Sequence, residues 1–107
     1  MSWFYLLLAG ICEIGWPLGL KLGDMDPKNK WLWIVIAAIA MAVSGIFLFL
    51  AQKTIPMGTA YAIWTGIGAV GTFLVGIIWF HDPANAFRII SVMFIMAGII
   101  GLKLSAH

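Results

Sequence analysis

Charged residues are scarce in this sequence. Of its 107 residues, 9% are Asp, Glu, Lys or Arg, whereas 64% are hydrophobic. A typical soluble domain carries roughly 25% charged residues, and a domain of this size buries only about 60–70% of its surface on folding. These proportions exclude an ordinary soluble domain, and we expect lipid to surround most of the chain.

Long polar linkers are also lacking. Four apolar segments, at about 3–22, 31–51, 57–80 and 86–104, fill nearly all of the chain, and each is near the ~20 residues that a transmembrane helix needs. The short breaks between them, GDMDPKNK, KTIPMG and HDPANA, are rich in Pro, Gly and Asn. We predict one all-α integral membrane domain over residues 1–107, with four transmembrane helices.

Side chains that carry out bond chemistry are nearly as rare. Cys12 is the single cysteine, so no internal disulfide forms, and it resembles a small apolar filler. His81 and His107 lie in a loop and at the C-terminus. The sequence has no metal-ligand spacing, no nucleophile beside a base and no phosphate-binding loop. We therefore predict a protein that is not an enzyme and that has no cofactor, metal or nucleic-acid partner.

One acidic residue, Glu13, interrupts the apolar segments. It is the only Asp or Glu within the four predicted spans. A charge in the middle of a span costs about 2.5–3.5 kcal/mol on insertion scales, and such residues usually face a bundle interior or an ion pathway. Glu13 is then either a carboxylate that titrates and binds a cation, or a protonated, structural glutamate that is hydrogen-bonded to a neighbour.

The residues around Glu13 favour the first interpretation. At 3.6 residues per turn, Gly10, Glu13 and Trp16 or Pro17 share one helix face. Gly10 leaves space before the carboxylate, and Trp16 offers an indole donor after it. Pro17 has no N–H, so the Glu13 carbonyl loses its helical partner, and we expect a bend or a loosened turn there. The alternative is that Pro17 only shapes helix packing.

The third segment offers matching groups. Tyr61, Trp64, Thr65 and Gly68 fall on one helix face, and aromatic faces attract cations by roughly 0.5–2 kcal/mol. Gly66 and Gly68 weaken the helix and permit bending or close approach. These residues predict a wall of a cation site with a hinge, although the glycines are equally consistent with tight packing alone.

Small and polar residues mark the other two segments. Ser44 is the hydroxyl in the middle of the second span, where it either orients a carboxylate or bonds back to its own helix. In the fourth segment, small residues recur at the four-residue spacing that lets membrane helices pack closely. We predict that Ala97, Gly98, Gly101 and Ser105 form a packing face for a dimer.

The distribution of positive charge bears on orientation. With four spans, both termini share one side of the membrane, which carries Lys53 and Lys103, and the opposite side carries Lys21, Lys28, Lys30 and Arg88. This difference is small for the positive-inside rule and permits insertion in both orientations. Secondary transporters commonly use inverted repeats. Because this chain has no internal repeat, an antiparallel homodimer would supply the inverted symmetry and bring two Glu13 side chains together.

The motifs together resemble a known family. Gly10, Glu13 and Trp16 in the first helix, GTAYAIWTGIGA at 58–69 and GIIGLK near the C-terminus make the whole chain similar to the small multidrug resistance transporters, and in particular to their guanidinium-exporter subtype. The resemblance implies an antiparallel homodimer with dual topology in the plasma (inner) membrane of a prokaryote.

The resemblance also implies a mechanism. A cation would exchange for protons at the paired Glu13 carboxylates by alternating access. Trp16, Ser44 and Tyr61 would orient these carboxylates, and Trp64 would line the pocket. Where the family often has alanine, this chain has Pro17, and where it has a bulkier residue, this chain has Gly15. These departures suggest an altered pocket that accepts small substituted guanidines such as guanylurea alongside guanidinium.

Two other functions compete with this prediction. Export of quaternary ammonium cations would need a wider aromatic box, since these cations offer no N–H donors. A non-transporting membrane subunit or scaffold would use the glycine-rich helices for assembly and Glu13 as a buried link, and would be indifferent to Glu13→Gln.

Overall fold

The computed structural model describes residues 1–105, so Ala106 and His107 lie outside the described part. The chain forms four long helices: α1 (Ser2–Met25), α2 (Lys30–Ala51), α3 (Met57–Phe80) and α4 (Ala86–Ser105). In the described part, all four are long and apolar enough to cross a membrane. The prediction of an all-helical membrane protein with four such helices is therefore confirmed.

The helix ends follow the proline and glycine signals with small differences. α3 has the predicted bounds, and α2 and α4 differ from them by one residue at one end. α1 continues to Met25 rather than ending at residue 22, because its stop signal is Pro27 rather than Gly23. The residue before a proline is driven out of the helical region, and Asp26 accordingly has φ −129° and ψ 75°.

Asp26 also organises the turn between α1 and α2. Its Oδ2 accepts hydrogen bonds from Asn29 Nδ2 at 3.0 Å and from Trp33 Nε1 at 3.4 Å. The hydrogen bond from the Asn29 side chain, followed by that from Trp33, holds the pKa of Asp26 below its ordinary value. The carboxylate thus joins the end of α1 to the first turn of α2.

α1 is the central helix of the described chain and packs on both α2 and α3. Its contact with α2 runs along a stripe of glycines spaced four residues apart, Gly15, Gly19 and Gly23. A Cβ atom added to any of them would lie 3.1 Å from a Cβ atom of α2, which belongs to Ala40, Ala37 and Trp33 respectively. The two backbones approach closely because the glycines have no side chains, as in other membrane helix pairs.

The buried apolar cluster lies near the N-terminus of α1 and the connection between α2 and α3. Its fully or nearly fully buried members are Leu6, Ala51, Ile55, Ala60 and Ile63. Glu13 lies about two helical turns beyond Leu6 along α1. The buried apolar cluster therefore ends before the turn of α1 that carries Glu13.

Within the described residues, the backbone of α4 packs only against α3. Ile99 fills the space above Gly66, where a Cβ atom would lie 2.7 Å from Ile99 Cδ1. α4 contains no buried residue. The predicted packing face lies on its exposed surface and consists of Ala97, Gly98, Gly101 and Ser105.

α3 ends in a backbone conformation that suits glycine, although the residue there is His81. His81 has φ 57° and ψ 34°, in the left-handed region. The next N–H, that of Asp82, donates to the carbonyl oxygen of Gly76 at 3.0 Å. The two residues of this hydrogen bond are six positions apart, and the His81 N–H donates to the same carbonyl oxygen. Together these bonds fold the loop back against α3.

We predict that His81→Gly raises the free energy of unfolding by about 1 kcal/mol, because a left-handed conformation costs a residue with a Cβ atom roughly that amount. Unfolding in detergent by titration with a denaturing surfactant measures the change. His81→Ala is the matched control, since it removes the imidazole and keeps Cβ. Equal stability of the two variants would contradict the prediction.

Candidate functional site

Glu13 lies on the face of α1 that packs against α3. Its side chain passes over Gly68, where an added Cβ atom would lie 2.7 Å from Glu13 Cγ and 3.2 Å from Glu13 Cβ. Gly68 is buried and Glu13 is half-buried. The absent side chain at Gly68 is therefore what lets the Glu13 stem lie against α3.

Trp16 holds the carboxylate from one turn further along α1. Its Nε1 donates to Glu13 Oε1 at 2.8 Å, as expected from the three-residue spacing on one helix face. α1 continues as a helix through Pro17, so the break in its hydrogen bonding does not end the helix. Gly10 is buried against α3, where a Cβ atom would lie 2.6 Å from Ile67 Cγ2.

A cleft of about 410 Å³ opens beside the carboxylate. Its wall includes the hydroxyl-bearing residues Thr65 and Thr72, the ring of Phe73 and the carboxylate-bearing residue Asp82, together with Glu13. The cleft therefore presents oxygen ligands and one aromatic ring, the groups that suit an organic cation.

Three of these cleft residues, Thr72, Phe73 and Asp82, were not predicted from the sequence. Thr72 lies two turns after Thr65, and the small residues between them, at 68 and 69, share that face. This helical spacing could have predicted that Thr72 lines the cleft. Phe73 adjoins Thr72 on the same helix. Asp82 had no such signal, because it reaches the cleft only through the fold-back of the loop onto Gly76.

A second hydrogen-bonded group lies behind the first and joins three helices. Ser44 of α2 is fully buried. Its Oγ donates to the carbonyl oxygen of Ala9 in α1 at 2.7 Å and accepts from Trp64 Nε1 of α3 at 2.7 Å. Ser44 therefore donates neither to a carbonyl of its own helix nor to Glu13, which were the two alternatives from the sequence.

The link to Ala9 brings this group to the turn that carries Glu13. In an α-helix the carbonyl of Ala9 also accepts the N–H of Glu13, four residues later. The Ser44 hydroxyl thus fixes the turn immediately before the carboxylate, while Trp16 fixes the carboxylate itself.

The residues that were predicted to share one face of α3 lie at two places in the structure. Tyr61 is 55% exposed, and its ring centroid lies 5.3 Å from that of Trp64 at an interplanar angle of 54°. Thr65 and Gly68 instead lie at the Glu13 cleft. The predicted common face is thus divided between the Ser44 group, which Trp64 joins, and the Glu13 cleft. Gly66, predicted as a hinge, lies beneath Ile99 of α4.

No group of three or more His, Cys, Asp or Glu side chains gathers as a metal site within residues 1–105. Cys12 is half-buried.

Comparison with known proteins decides the family. The family model described as Small Multidrug Resistance protein matches residues 1–95. The chain belongs to the small multidrug resistance family. Curated relatives agree over their full length: the "Guanidinium exporter" of Salmonella typhimurium strain LT2 is 48% identical over 111 residues, with 100% of both chains covered.

Other relatives of this family carry the same name. The guanidinium exporter of Citrobacter freundii is 49% identical over 107 residues, and that of Escherichia coli K12 is 46% identical over 111 residues, again with 100% of both chains covered. The family predicted from the motifs is therefore confirmed. These relatives are named as exporters, which agrees with the prediction that the chain is a multi-pass membrane protein and not an enzyme.

We predict that Ser44→Ala lowers the free energy of unfolding by about 1–2 kcal/mol, because it leaves the Trp64 N–H without its acceptor. Ser91→Ala is the control, since the exposed Ser91 hydroxyl donates only to the Phe87 carbonyl of its own helix, and we expect a change below about 0.5 kcal/mol. Unfolding in detergent compares the two. Equal losses would contradict the role of Ser44.

We predict that Gly68→Ala preserves the fold but displaces the Glu13 side chain, because the new Cβ atom would lie 2.7 Å from Glu13 Cγ. The Trp16 indole N–H resonance, measured by NMR in bicelles, should move upfield as its hydrogen bond lengthens. Gly45→Ala is the control, because nothing lies within 4 Å of a Cβ atom there. An unchanged Trp16 resonance in Gly68→Ala would refute the displacement.

Proposed function

We propose that this protein exports guanidinium and small substituted guanidines such as guanylurea from the cell in exchange for protons. The observation that carries the proposal is the Glu13 carboxylate, half-buried on a transmembrane helix and held by Trp16 beside an oxygen-lined cleft. Relatives named "Guanidinium exporter" across their full length support the choice of cation.

The chemistry of the carboxylate suits this exchange. A carboxylate has about four acceptor positions, and the Trp16 indole N–H uses one of them. A planar guanidinium donates two parallel hydrogen bonds to a carboxylate. A bound proton removes acceptor capacity from the same oxygens, so proton and guanidinium compete for Glu13. Competition at one site couples the two fluxes, because the site changes the side of the membrane to which it is open only when it holds a proton or a cation.

The active unit that we propose is an antiparallel homodimer with two Glu13 carboxylates at one site. The small-residue face of α4 supports this assembly, since Gly98 and Gly101 have open space around them in the protomer and such faces pack membrane helices closely. Antiparallel subunits provide the inverted symmetry that alternating access uses. The small difference in positive charge between the two sides of the chain permits both orientations.

The roles of the neighbouring side chains follow from their contacts. Trp16 orients the carboxylate directly. Ser44 and Trp64 fix the turn before it through the Ala9 carbonyl. Tyr61, which is exposed on the protomer, is available to contact the Glu13 of the second copy. The membrane is the plasma (inner) membrane of a prokaryote, as the bacterial relatives suggest.

Proton flux in proteoliposomes tests the proposal. We expect a guanidinium gradient to drive proton movement by the wild-type protein, and Glu13→Gln to reduce it to the level of protein-free liposomes. Asp24→Asn is the matched control, because it removes one negative charge at the exposed end of α1 and should retain the flux.

The other outcomes identify the competing functions. Flux with a quaternary ammonium cation but not with guanidinium would make the protein a multidrug exporter. No flux with either cation from a folded dimer would refute guanidinium export and favour a scaffold. Guanidinium flux that persists in Glu13→Gln would exclude Glu13 as the exchange site.

A further inference from the structure

A groove runs between α1 and α4 at the end of the protein where α1 begins and α4 ends. It has a volume of about 420 Å³, and its wall is formed by apolar side chains of α1, α3 and α4. Among the described residues, Lys103 is the one charged side chain of that wall. A second groove of about 290 Å³ continues the first and shares Ile67, Ile99 and Ile100 with it. We call the two grooves together the α1–α4 trough.

The length of the trough matches the depth of one lipid leaflet. Along α1 the trough extends from Trp3 to Ile14, which corresponds to about 16 Å along the helix axis. The hydrocarbon core of a bilayer is about 30 Å thick, and each leaflet fills half of it. The trough therefore has room for an acyl chain that reaches from the head-group level to the middle of the membrane.

The mouth of the trough carries groups that suit a lipid head group. Lys103 is exposed, and its Nζ atom lies 5.0 Å from the centroid of the half-buried Trp3 ring. Tryptophan and lysine near the ends of transmembrane helices lie at the level of the head groups. The lysine supplies a positive charge, and the indole N–H is a further donor for a phosphate or ester oxygen.

The charge at this end of the protein favours an anionic head group. The same end holds Lys53, in the connection between α2 and α3, whereas Asp24, Asp26 and Asp82 lie at the far ends of α1 and α3. No Asp or Glu carboxylate of the described part therefore competes with a lipid phosphate for Lys103. A lysine at the membrane surface attracts an anionic lipid by about 1 kcal/mol.

The packing of α4 makes the trough a place for lipid. Within the described residues, the backbone of α4 packs on α3 and not on α1, so the trough separates α1 from α4. A groove left unfilled deprives its lining residues of dispersion contacts. In a bilayer, acyl chains are the molecules that supply those contacts.

The proposed dimer face lies on another side of α4. Gly98 precedes the trough residue Ile100 by two positions, and Gly101 precedes the trough residue Lys103 by two positions. Two residues correspond to about 200° around the helix axis. A second copy that packs on the glycines therefore leaves the trough open to lipid.

We infer that the α1–α4 trough binds one acyl chain of an anionic phospholipid, whose phosphate pairs with Lys103. The chain packs against Ile67, Ile99 and Ile100, and it links α4 to α1, which make no direct backbone contact. The trough shares no wall residue with the Glu13 cleft. The lipid site therefore goes beyond the proposed function and does not depend on the transported cation.

Lipid titration of the purified full chain in detergent, followed by native mass spectrometry, tests the role of the head group. We expect phosphatidylglycerol to bind about 5-fold more tightly than phosphatidylcholine with the same acyl chains. Lys103→Gln removes the charge at the mouth and should abolish this preference. Lys53→Gln is the matched control, because it removes a positive charge at the same end but outside the trough, and it should keep the preference.

Paramagnetic broadening in NMR spectra locates the acyl chain. Phosphatidylglycerol with a nitroxide in the lower half of one chain should broaden the methyl resonance of Met96, which lines the deep part of the trough. Met41 of α2 is the reference, because it is 49% exposed against 46% for Met96 and lies outside the trough. The broadening of Met96 should fall in Lys103→Gln, and that of Met41 should not change.

Other results would overturn the inference. Equal affinities for the two lipids in the wild-type protein would exclude selection by head-group charge. Equal losses in Lys103→Gln and Lys53→Gln would mean a general attraction to the positive end of the protein. Equal broadening of Met96 and Met41, or none at Met96, would mean that detergent fills the trough or that a second copy of the chain covers it. Neither measurement uses transport, so such results would leave the proposed exchange unaffected.

Discussion

One hydroxyl group fixes how three helices meet. Ser44 accepts from the Trp64 indole and donates to the Ala9 carbonyl, so α2 is tied to both α1 and α3 at one buried point. α2 and α3 otherwise make few direct contacts. In lipid, an unpaired indole N–H or hydroxyl has no water as an alternative partner, so sliding any of the three helices by one turn would leave a polar group unsatisfied. The position of Glu13, one turn beyond Ala9, depends on this register.

The fold follows from features that lie close together in the sequence, and much of the site does not. Four apolar lengths and three groups of Pro, Gly and Asn are enough to predict the helices, because a span needs a fixed length and proline stops a helix. The Trp16 contact with Glu13 follows from a spacing of three residues. The partners of Ser44 are 35 and 20 residues away, and periodicity within one helix carries no information about which helix lies opposite. Asp82 enters the cleft for a similar reason, through a loop conformation that the left-handed His81 creates.

Glycine has two distinct functions in this fold. Along α1, the stripe at Gly15, Gly19 and Gly23 brings α2 close and holds two backbones together. On α3, Gly68 instead leaves a space for one charged side chain. In the sequence, the glycines of the α1 stripe and Gly68 look alike, because all of them lie in apolar segments. The stripe stabilises a helix pair, whereas Gly68 makes room for a carboxylate. Placing such a charge in a membrane costs about 2.5–3.5 kcal/mol. The four-residue spacing of the α1 stripe was a readable sign of packing; a single glycine such as Gly68 gives no such sign.

Two neighbouring glycines on α3 serve opposite sides of that helix. Gly66 receives Ile99 of α4, and Gly68 receives the stem of Glu13; two residues correspond to about 200° around the helix axis. α3 thus lies between the apolar side chain of Ile99 on one side and the Glu13 side chain on the other. A sideways shift of α3 toward α1 would tighten the contact at Gly68 and loosen the contact at Gly66, and a shift toward α4 would do the reverse. The packing of α4 on α3 and the space available to the Glu13 side chain are therefore linked. A displacement of α4 would reach the carboxylate through α3.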